Sequence, residues 1–297
     1  MQYQIIACDL DGTLLDETGH VSRENWEAIE KLTKMGVQVV PASGRAFEEM
    51  PREVIECPYF RYYIASNGAG IYDKTQGFIH EWALPRELGH SMLDLLAQYE
   101  TTSLIHIGTR TYVNEATHSP QDYARFNMNT TWQNYCMDFV VPIQDPFSFA
   151  YGQESIQSFT TFFKRKEDLQ AVWQLWEKDD RLALAQTDPF NIEVFSSQAG
   201  KGKALSCLAD LLGIDRSATI AMGDSTNDLT MIRAAGLGLA MENAVPALKA
   251  AADATICHHK DHGIICAMSP PLWWVCSPRS WASVPSRPPA RRWRRQV

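Results

Sequence analysis

The sequence predicts an α/β fold built on a parallel sheet that is interrupted by an inserted α+β unit. Three observations lead there. Short apolar runs ending in polar turns alternate with amphipathic helical stretches at both ends of the chain. Between about residues 84 and 189 that rhythm gives way to closely spaced alternating runs typical of antiparallel strands. It then resumes to residue 268.

Tyr3 to Cys8 reads as a buried strand, and Asp9-Leu-Asp11-Gly12-Thr13 follows as an acidic turn. Ser22 is placed to cap a helix through Met35, with Trp26, Ala28, Ile29 and Leu32 on one face and Gly36 past its end. Val37 to Val40 returns as a strand ending at Ser43-Gly44-Arg45, and Tyr62 to Ala65 repeats the pattern before Ser66-Asn67-Gly68. Strand, helix, strand with polar residues at the strand ends is a βαβ arrangement, and parallel sheets bind ligands at those carboxyl ends. The insertion carries candidate strands at 103–107, 111–114, 158–163 and 182–185, with helices near 87–99 and 167–177 on one face of the sheet. After it come a helix from Lys203 to Leu212, a strand from Ala218 to Met222, the loop Gly223 to Asp228, a helix to Ala235 and a strand from Leu237 to Ala240.

Charge and composition restrict the function. The 297 residues carry a formal net charge of -8, but every acidic residue lies before residue 262 and six arginines lie after residue 268. An acidic body argues against binding to nucleic acid through phosphates, so no nucleic-acid partner is expected. No uncharged apolar run reaches the roughly 20 residues a membrane helix needs. The seven cysteines form an odd set without a CxxC pair, and the start Met1-Gln2-Tyr3 carries no leader pattern, so a reducing cytoplasm is the expected location. Residues 269–297, rich in Pro, Arg, Trp and Ser, fit neither periodicity and are expected to be a disordered tail foreign to the body of the chain. The sequence carries no signal for oligomeric state.

Four polar clusters fall at strand ends or at a helix start: Asp9/Asp11, Ser43, Lys201, and Asp224/Asn227/Asp228. In a parallel sheet they converge on one rim. Several carboxylates beside a lysine and a hydroxyl suit a hard divalent cation, with magnesium favoured by oxygen ligands, and an anion such as phosphate. A carboxylate at Asp9 can attack phosphorus, and a second at Asp11 can protonate a leaving alcohol and then activate water. An isolated DxDG is also simply a strand followed by an Asp-Gly turn. An EF-hand fails because Leu14-Leu15 replaces the continuing oxygen ligands.

Taken together, Asp9-Leu-Asp11-Gly12-Thr13-Leu14, Ser43-Gly44-Arg45, Lys201-Gly202 and Gly223-Asp224-Ser225-Thr226-Asn227-Asp228 resemble the four ordered motifs of the haloacid dehalogenase superfamily. Ser66-Asn67-Gly68-Ala69, Phe190-Asn-Ile-Glu193-Val, Gly200 to Leu205 and Ala240 to Ala244 are similar to its Cof-type sugar-phosphate phosphatase branch. The resemblance implies a Rossmann-like core with an inserted α+β cap. Its core would comprise residues 1–83 and 190–268, and its cap residues 84–189. It implies Asp9 as nucleophile and metal ligand, and Asp11 as general acid/base that also ligates metal through its backbone carbonyl. Leu10, Ser43 and Gly44 would hold the phosphoryl group, with Lys201 balancing its charge, Asn227 touching phosphate or substrate, Asp224 as the second carboxylate on magnesium, and Asp228 as a further metal ligand or a carboxylate just behind the ligands. Arg45 and Asn67 are candidates for substrate contact or for a salt bridge and a turn cap.

The implied activity is a magnesium-dependent phosphatase acting on a small phosphorylated metabolite such as a sugar phosphate. Two other readings stay open: a phosphomutase of the same superfamily, and a weakly catalytic protein binding an acidic partner through its basic tail. Two features are set aside. Cys257-His-His-Lys-Asp-His262 fits no usual zinc spacing and reads as a polar loop. Phe159, Phe162, Phe163, Trp173 and Trp176 read as cap core.

Overall fold

The computed structural model describes residues 3–268. The expectation of a disordered tail concerns residues 269–297 and lies outside the described residues.

Ile5, Ile6, Ala7 and Cys8 are all fully buried, as apolar residues in a strand with neighbours on both edges and layers on both faces must be. That strand, β1 (Ile5–Asp9), pairs in parallel with β2 (Gln38–Ala42) and with β12 (Thr219–Gly223). Among the described residues the sheet has eight strands in the order β14-β13-β12-β1-β2-β3-β4-β5. Here β13 is Leu237–Ala240, β14 Ala254–Thr255, β3 Tyr62–Ala65, β4 Gly70–Asp73 and β5 Gly77–Glu81. Six strands run parallel. The hairpin of β4 and β5 adds an antiparallel edge that the apolar-run pattern does not reveal.

Ser22 caps the helix Arg23–Lys34, its hydroxyl accepting from the Asn25 N–H at 3.2 Å. The same asparagine ties this helix to the helix Gly263–Met268. Its amide accepts from the Ile264 N–H at 3.2 Å, at the start of the helix Gly263–Met268.

The second sheet has six strands in the order β10-β11-β9-β6-β7-β8. They are β6 (Thr101–Ile107), β7 (Arg110–Asn114), β8 (Val141–Ile143), β9 (Ser158–Phe163), β10 (Leu182–Ala185) and β11 (Asn191–Ser196). All its pairs are antiparallel except β7 with β8. Two sequence expectations are corrected here. The boundary at residue 190 falls one element early, because β11 hydrogen-bonds to β9 and β10, and the chain leaves this sheet only after Ser196. Helices cover both faces rather than one. Side chains alternate along a strand, so Phe159 and Phe163 join the helices Arg86–Leu96 and Lys166–Trp176 in one cluster, with Trp176 buried in it and Trp173 against it. Phe162 and Leu104 point the other way, toward the helices Pro120–Arg125 and Thr130–Phe139.

Candidate active site

The parallel strands deliver their polar ends to one rim. β1 ends at Asp9, β2 immediately precedes Ser43, β3 precedes Ser66-Asn67-Gly68, and β12 precedes Asp224. A cavity of about 630 Å³ opens above this rim and is closed on its far side by residues of the six-stranded sheet and of the helix Thr130–Phe139. Asp9, Asp11, Ser43, Gly44, Arg45, Asp224 and Asn227 all reach it.

Backbone geometry explains how the rim is built. After Asp9 the chain makes a wide turn over Leu10–Leu14, closed by the Leu15 N–H to the Leu10 carbonyl at 2.9 Å. Gly12 occupies the left-handed region with φ of 77°, and a Cβ there would stand 2.4 Å from Asp224 Oδ2. Only glycine lets this turn pass beside that carboxylate. Ser66 and Asn67 hold φ of 50° and 54°, an uncommon left-handed pair, and Gly68 follows at 86°. A Cβ on Gly68 would lie 2.3 Å from the Gly200 carbonyl carbon, so the bare turn seats the start of the helix Lys201–Leu211.

Lys201 is fully buried and its ammonium lies 2.7 Å from Asp9 Oδ1 and 2.7 Å from Asp228 Oδ1. The other Asp228 oxygen accepts from the backbone N–H groups of Asp224 and Ser225, each at 3.1 Å. Asp228 therefore holds the loop and the lysine together. Oxygens of Asp9, Asp224 and Asp228 lie within 4.8 Å of one another. Burial, then repulsion from Asp228, pushes the Asp9 carboxyl well above its ordinary range, and the same two causes push Asp224 up to about 6. For Lys201 burial opposes the charge, yet Asp228 and Asp9 overcome it and raise its pKa. Three carboxylates face one ammonium, a residual negative charge carried on hard oxygen donors. That donor set fits a divalent cation, which Asp9 and Asp224 would hold, since both oxygens of Asp228 are already engaged.

The remaining sequence-predicted residues are placed differently. Asp11 stands outside the carboxylate cluster; Arg45 grips it with Nη2 at 2.8 Å and Nε at 3.0 Å. The Ser43 hydroxyl accepts from the Arg45 N–H at 3.1 Å. Asn227 is exposed, and its amide donates to Asn67 Oδ1 at 3.0 Å. Leu10 is fully buried and Gly44 lines the cavity.

Several participants escaped sequence reasoning. Asn243 donates to the Gly12 carbonyl at 2.8 Å and to Asp224 Oδ2 at 3.4 Å, and accepts from the His259 N–H at 3.1 Å. It lay within the quoted Ala240 to Ala244 motif, but nothing in its type or spacing pointed to that role. Cys257 and Cys266 form a disulfide, so the 257–262 loop is tied to the last helix, while the His259 ring bonds the Leu15 carbonyl and the His262 ring meets the Ser22 hydroxyl. Glu49 is another residue that the sequence does not single out. Its carboxylate accepts from the Ala46 N–H at 3.0 Å and from the Tyr135 hydroxyl at 2.5 Å, which joins the rim to the helix Thr130–Phe139.

Comparison with known proteins gives this arrangement a family. The model of the haloacid dehalogenase-like hydrolases matches residues 6–268. The chain belongs to that family. It is 31% identical over 279 residues to phosphatase YwpJ of Bacillus subtilis, covering 88% of this chain and 97% of that protein. It is also 31% identical over 259 residues to the 5-amino-6-(5-phospho-D-ribitylamino)uracil phosphatase YwtE of the same species, covering 82% and 89%. A solved haloacid dehalogenase-like hydrolase from B. subtilis superimposes with a TM-score of 0.72 at 28% identity, over 90% of this chain and 98% of that one. The protein is a phosphatase of this family, with a Rossmann-like core and an inserted cap.

Proposed function

We propose that this phosphatase is magnesium-dependent and hydrolyses small phosphate monoesters, sugar phosphates among them, through an aspartyl-phosphate on Asp9. The observation that carries the proposal is the meeting of Asp9, Ser43, Asp224 and the buried Lys201 at the carboxyl ends of parallel strands beneath one cavity. The carboxylate of Asp9 attacks phosphorus as the bond to the leaving oxygen breaks. Asp11 gives that oxygen its proton and then takes one from the water that attacks the phosphoryl-aspartate. For this, the Asp11 side chain must leave Arg45 and turn toward the leaving group. The Ser43 hydroxyl and the N–H groups of Leu10 and Gly44 hold phosphoryl oxygens, Asn227 contacts the phosphate or substrate, and Lys201 limits the charge on Asp9. A magnesium ion on Asp9, Asp224 and the Asp11 carbonyl, with Asp228 behind them, would supply charge neutralisation at phosphorus.

The division into a catalytic core and a substrate-selecting cap, with the crossover moved to follow Ser196, belongs to the same proposal. So does a cytoplasmic location, although there the Cys257–Cys266 bond would meet reducing conditions that tend to open it. No helix among the described residues is long and apolar enough to cross a membrane. The relative YwtE makes 5-amino-6-(5-phospho-D-ribitylamino)uracil an ester to include in any substrate panel. The test is phosphate release from that panel with and without magnesium, by the wild type and by Asp9→Asn. Release that persists in the variant refutes the mechanism.

A further inference from the structure

Two sides of the cavity have different chemistry. The rim side carries the groups assigned above to phosphate. The cap side is formed where strand alternation turns Glu193 and Phe195 away from the fully buried Ile192 and Val194, which enter the cap core. Glu193 stands directly across from Thr160 of β9, and both line the cavity. Its carboxylate accepts from the Thr187 hydroxyl at 2.5 Å. Asp138, at the end of the helix Thr130–Phe139, adds a second carboxylate to the same wall.

Arg45 is the one permanent cation among the described residues that line the cavity; it is held on the rim side by the Glu49 carbonyl at 3.1 Å as well as by Asp11. Among the described residues the cap side therefore offers two carboxylates, several hydroxyls, the His106 ring and the faces of Trp132, Tyr135 and Phe139; the one permanent cation, Arg45, lies 5.0 Å over the Phe139 ring, and none faces Glu193. A carboxylate shut into such a wall is stabilised by a bound donor or cation and opposed by a second negative charge. Burial, offset in part by the Thr187 bond, raises the Glu193 pKa, as expected for an acid without a cationic partner.

We infer that the substrate is a phosphate monoester whose leaving group is uncharged or cationic and rich in hydrogen-bond donors, with Glu193 as the residue that recognises those donors. The inference rests on the phosphatase reading above and deepens it by naming the class of leaving group. Sugar acids, bisphosphates and other esters with a second anion are excluded by the cap wall rather than by the phosphate site. A hydrogen bond to a charged group contributes about 1.5–3 kcal/mol, or roughly a tenfold to hundredfold effect on kcat/KM.

The deciding experiment uses the full chain with magnesium and three matched esters: glucitol 6-phosphate, glucosamine 6-phosphate, and 6-phosphogluconate, which replaces the terminal CH2OH of the first with a carboxylate. Acetyl phosphate, too small to reach the cap wall, reports the core chemistry. The expected result is a kcat/KM for the first two at least tenfold above that for 6-phosphogluconate. In Glu193→Gln that ratio should shrink toward one, each ester being normalised to the same variant's rate on acetyl phosphate, and in Glu193→Lys it should invert. Hydrolysis of acetyl phosphate by the wild type with equal use of 6-phosphogluconate and glucitol 6-phosphate overturns the inference alone. A wild type that hydrolyses neither acetyl phosphate nor any of the esters overturns the phosphatase reading and this one with it. Should the Glu193 variants fail to fold, the wild-type comparison still decides.

Discussion

Replacing Lys201 by Met isolates what the buried ammonium does. Its side chain is fully buried, its two carboxylate partners sit at 2.7 Å, and their side chains are 8% and 0% exposed. Methionine fills a similar volume but strands two like charges in a site with little water. Removing one partner of a buried pair costs about 3–5 kcal/mol. For a domain of this size, at about 2–4 °C per kcal/mol, the midpoint of thermal unfolding should fall by on the order of 10 °C. Part of that loss should return in Lys201→Met/Asp228→Asn, which removes one of the stranded charges, and part on adding magnesium, which supplies positive charge at the same carboxylates. The assay is thermal unfolding of wild type, single and double variants, with and without the metal. An unchanged midpoint in Lys201→Met, or a double variant less stable than the single, would show that Lys201 does not hold these carboxylates together.

Four further outcomes are expected. Asp224→Asn should raise the magnesium concentration needed for half-maximal activity by about tenfold or more with little effect on the metal-free unfolding midpoint. Asp228→Asn should lower that midpoint because it loosens Lys201 and two backbone N–H groups; titration and unfolding curves that show the reverse assignment contradict it. His106 is buried and its pKa is lowered by that burial, with Glu49 acting in the opposite sense. Because the unfolded histidine titrates near 6.5, its contribution is complete above that pH and is lost as pH falls through 6.5 toward the folded value. Unfolding midpoints measured from pH 7.5 to 5 should therefore fall less steeply in His106→Gln than in wild type, and parallel slopes would discard the idea. Opening Cys257–Cys266, whose residues are nine apart, should cost on the order of 2–3 kcal/mol by loop entropy. The readout is a lower unfolding midpoint in reductant that Cys266→Ser abolishes, and a native mass showing both thiols free would contradict the bond.

The core and its rim were largely legible in the amino-acid sequence, for a physical reason. Strands buried on both faces must be continuous apolar runs, so β1, β3, β12 and β13 stood out, and polar residues at their ends had to mark the ligand edge. Asp9, Ser43 and Asp224 stand out that way, and Lys201 as the polar residue at a helix start. What stayed hidden depends on contacts between distant segments. Glu49 reads as one of two adjacent glutamates until Tyr135 arrives from the cap, and Asn243 acts only through the turn at Gly12. Trp132, Tyr135 and Phe139 share a helix face, but that spacing also describes an ordinary packing face. The crossover was misplaced because β11 alternates polar and apolar residues, as a strand with one face on a cavity does. Cys257 and Cys266 lie nine residues apart, a spacing that matches no disulfide or metal signature.

Covalent chemistry at Asp9 is testable by trapping the phosphoryl-aspartate. The enzyme, mixed with a phosphate ester and magnesium, is quenched within one turnover, reduced with borohydride and digested for mass spectrometry. An acyl phosphate on Asp9 is converted to homoserine at position 9, so the peptide containing Ile5–Leu14 should carry that conversion in wild type and lack it without substrate. Turnover without conversion at Asp9, or with conversion at another carboxylate, would contradict the account.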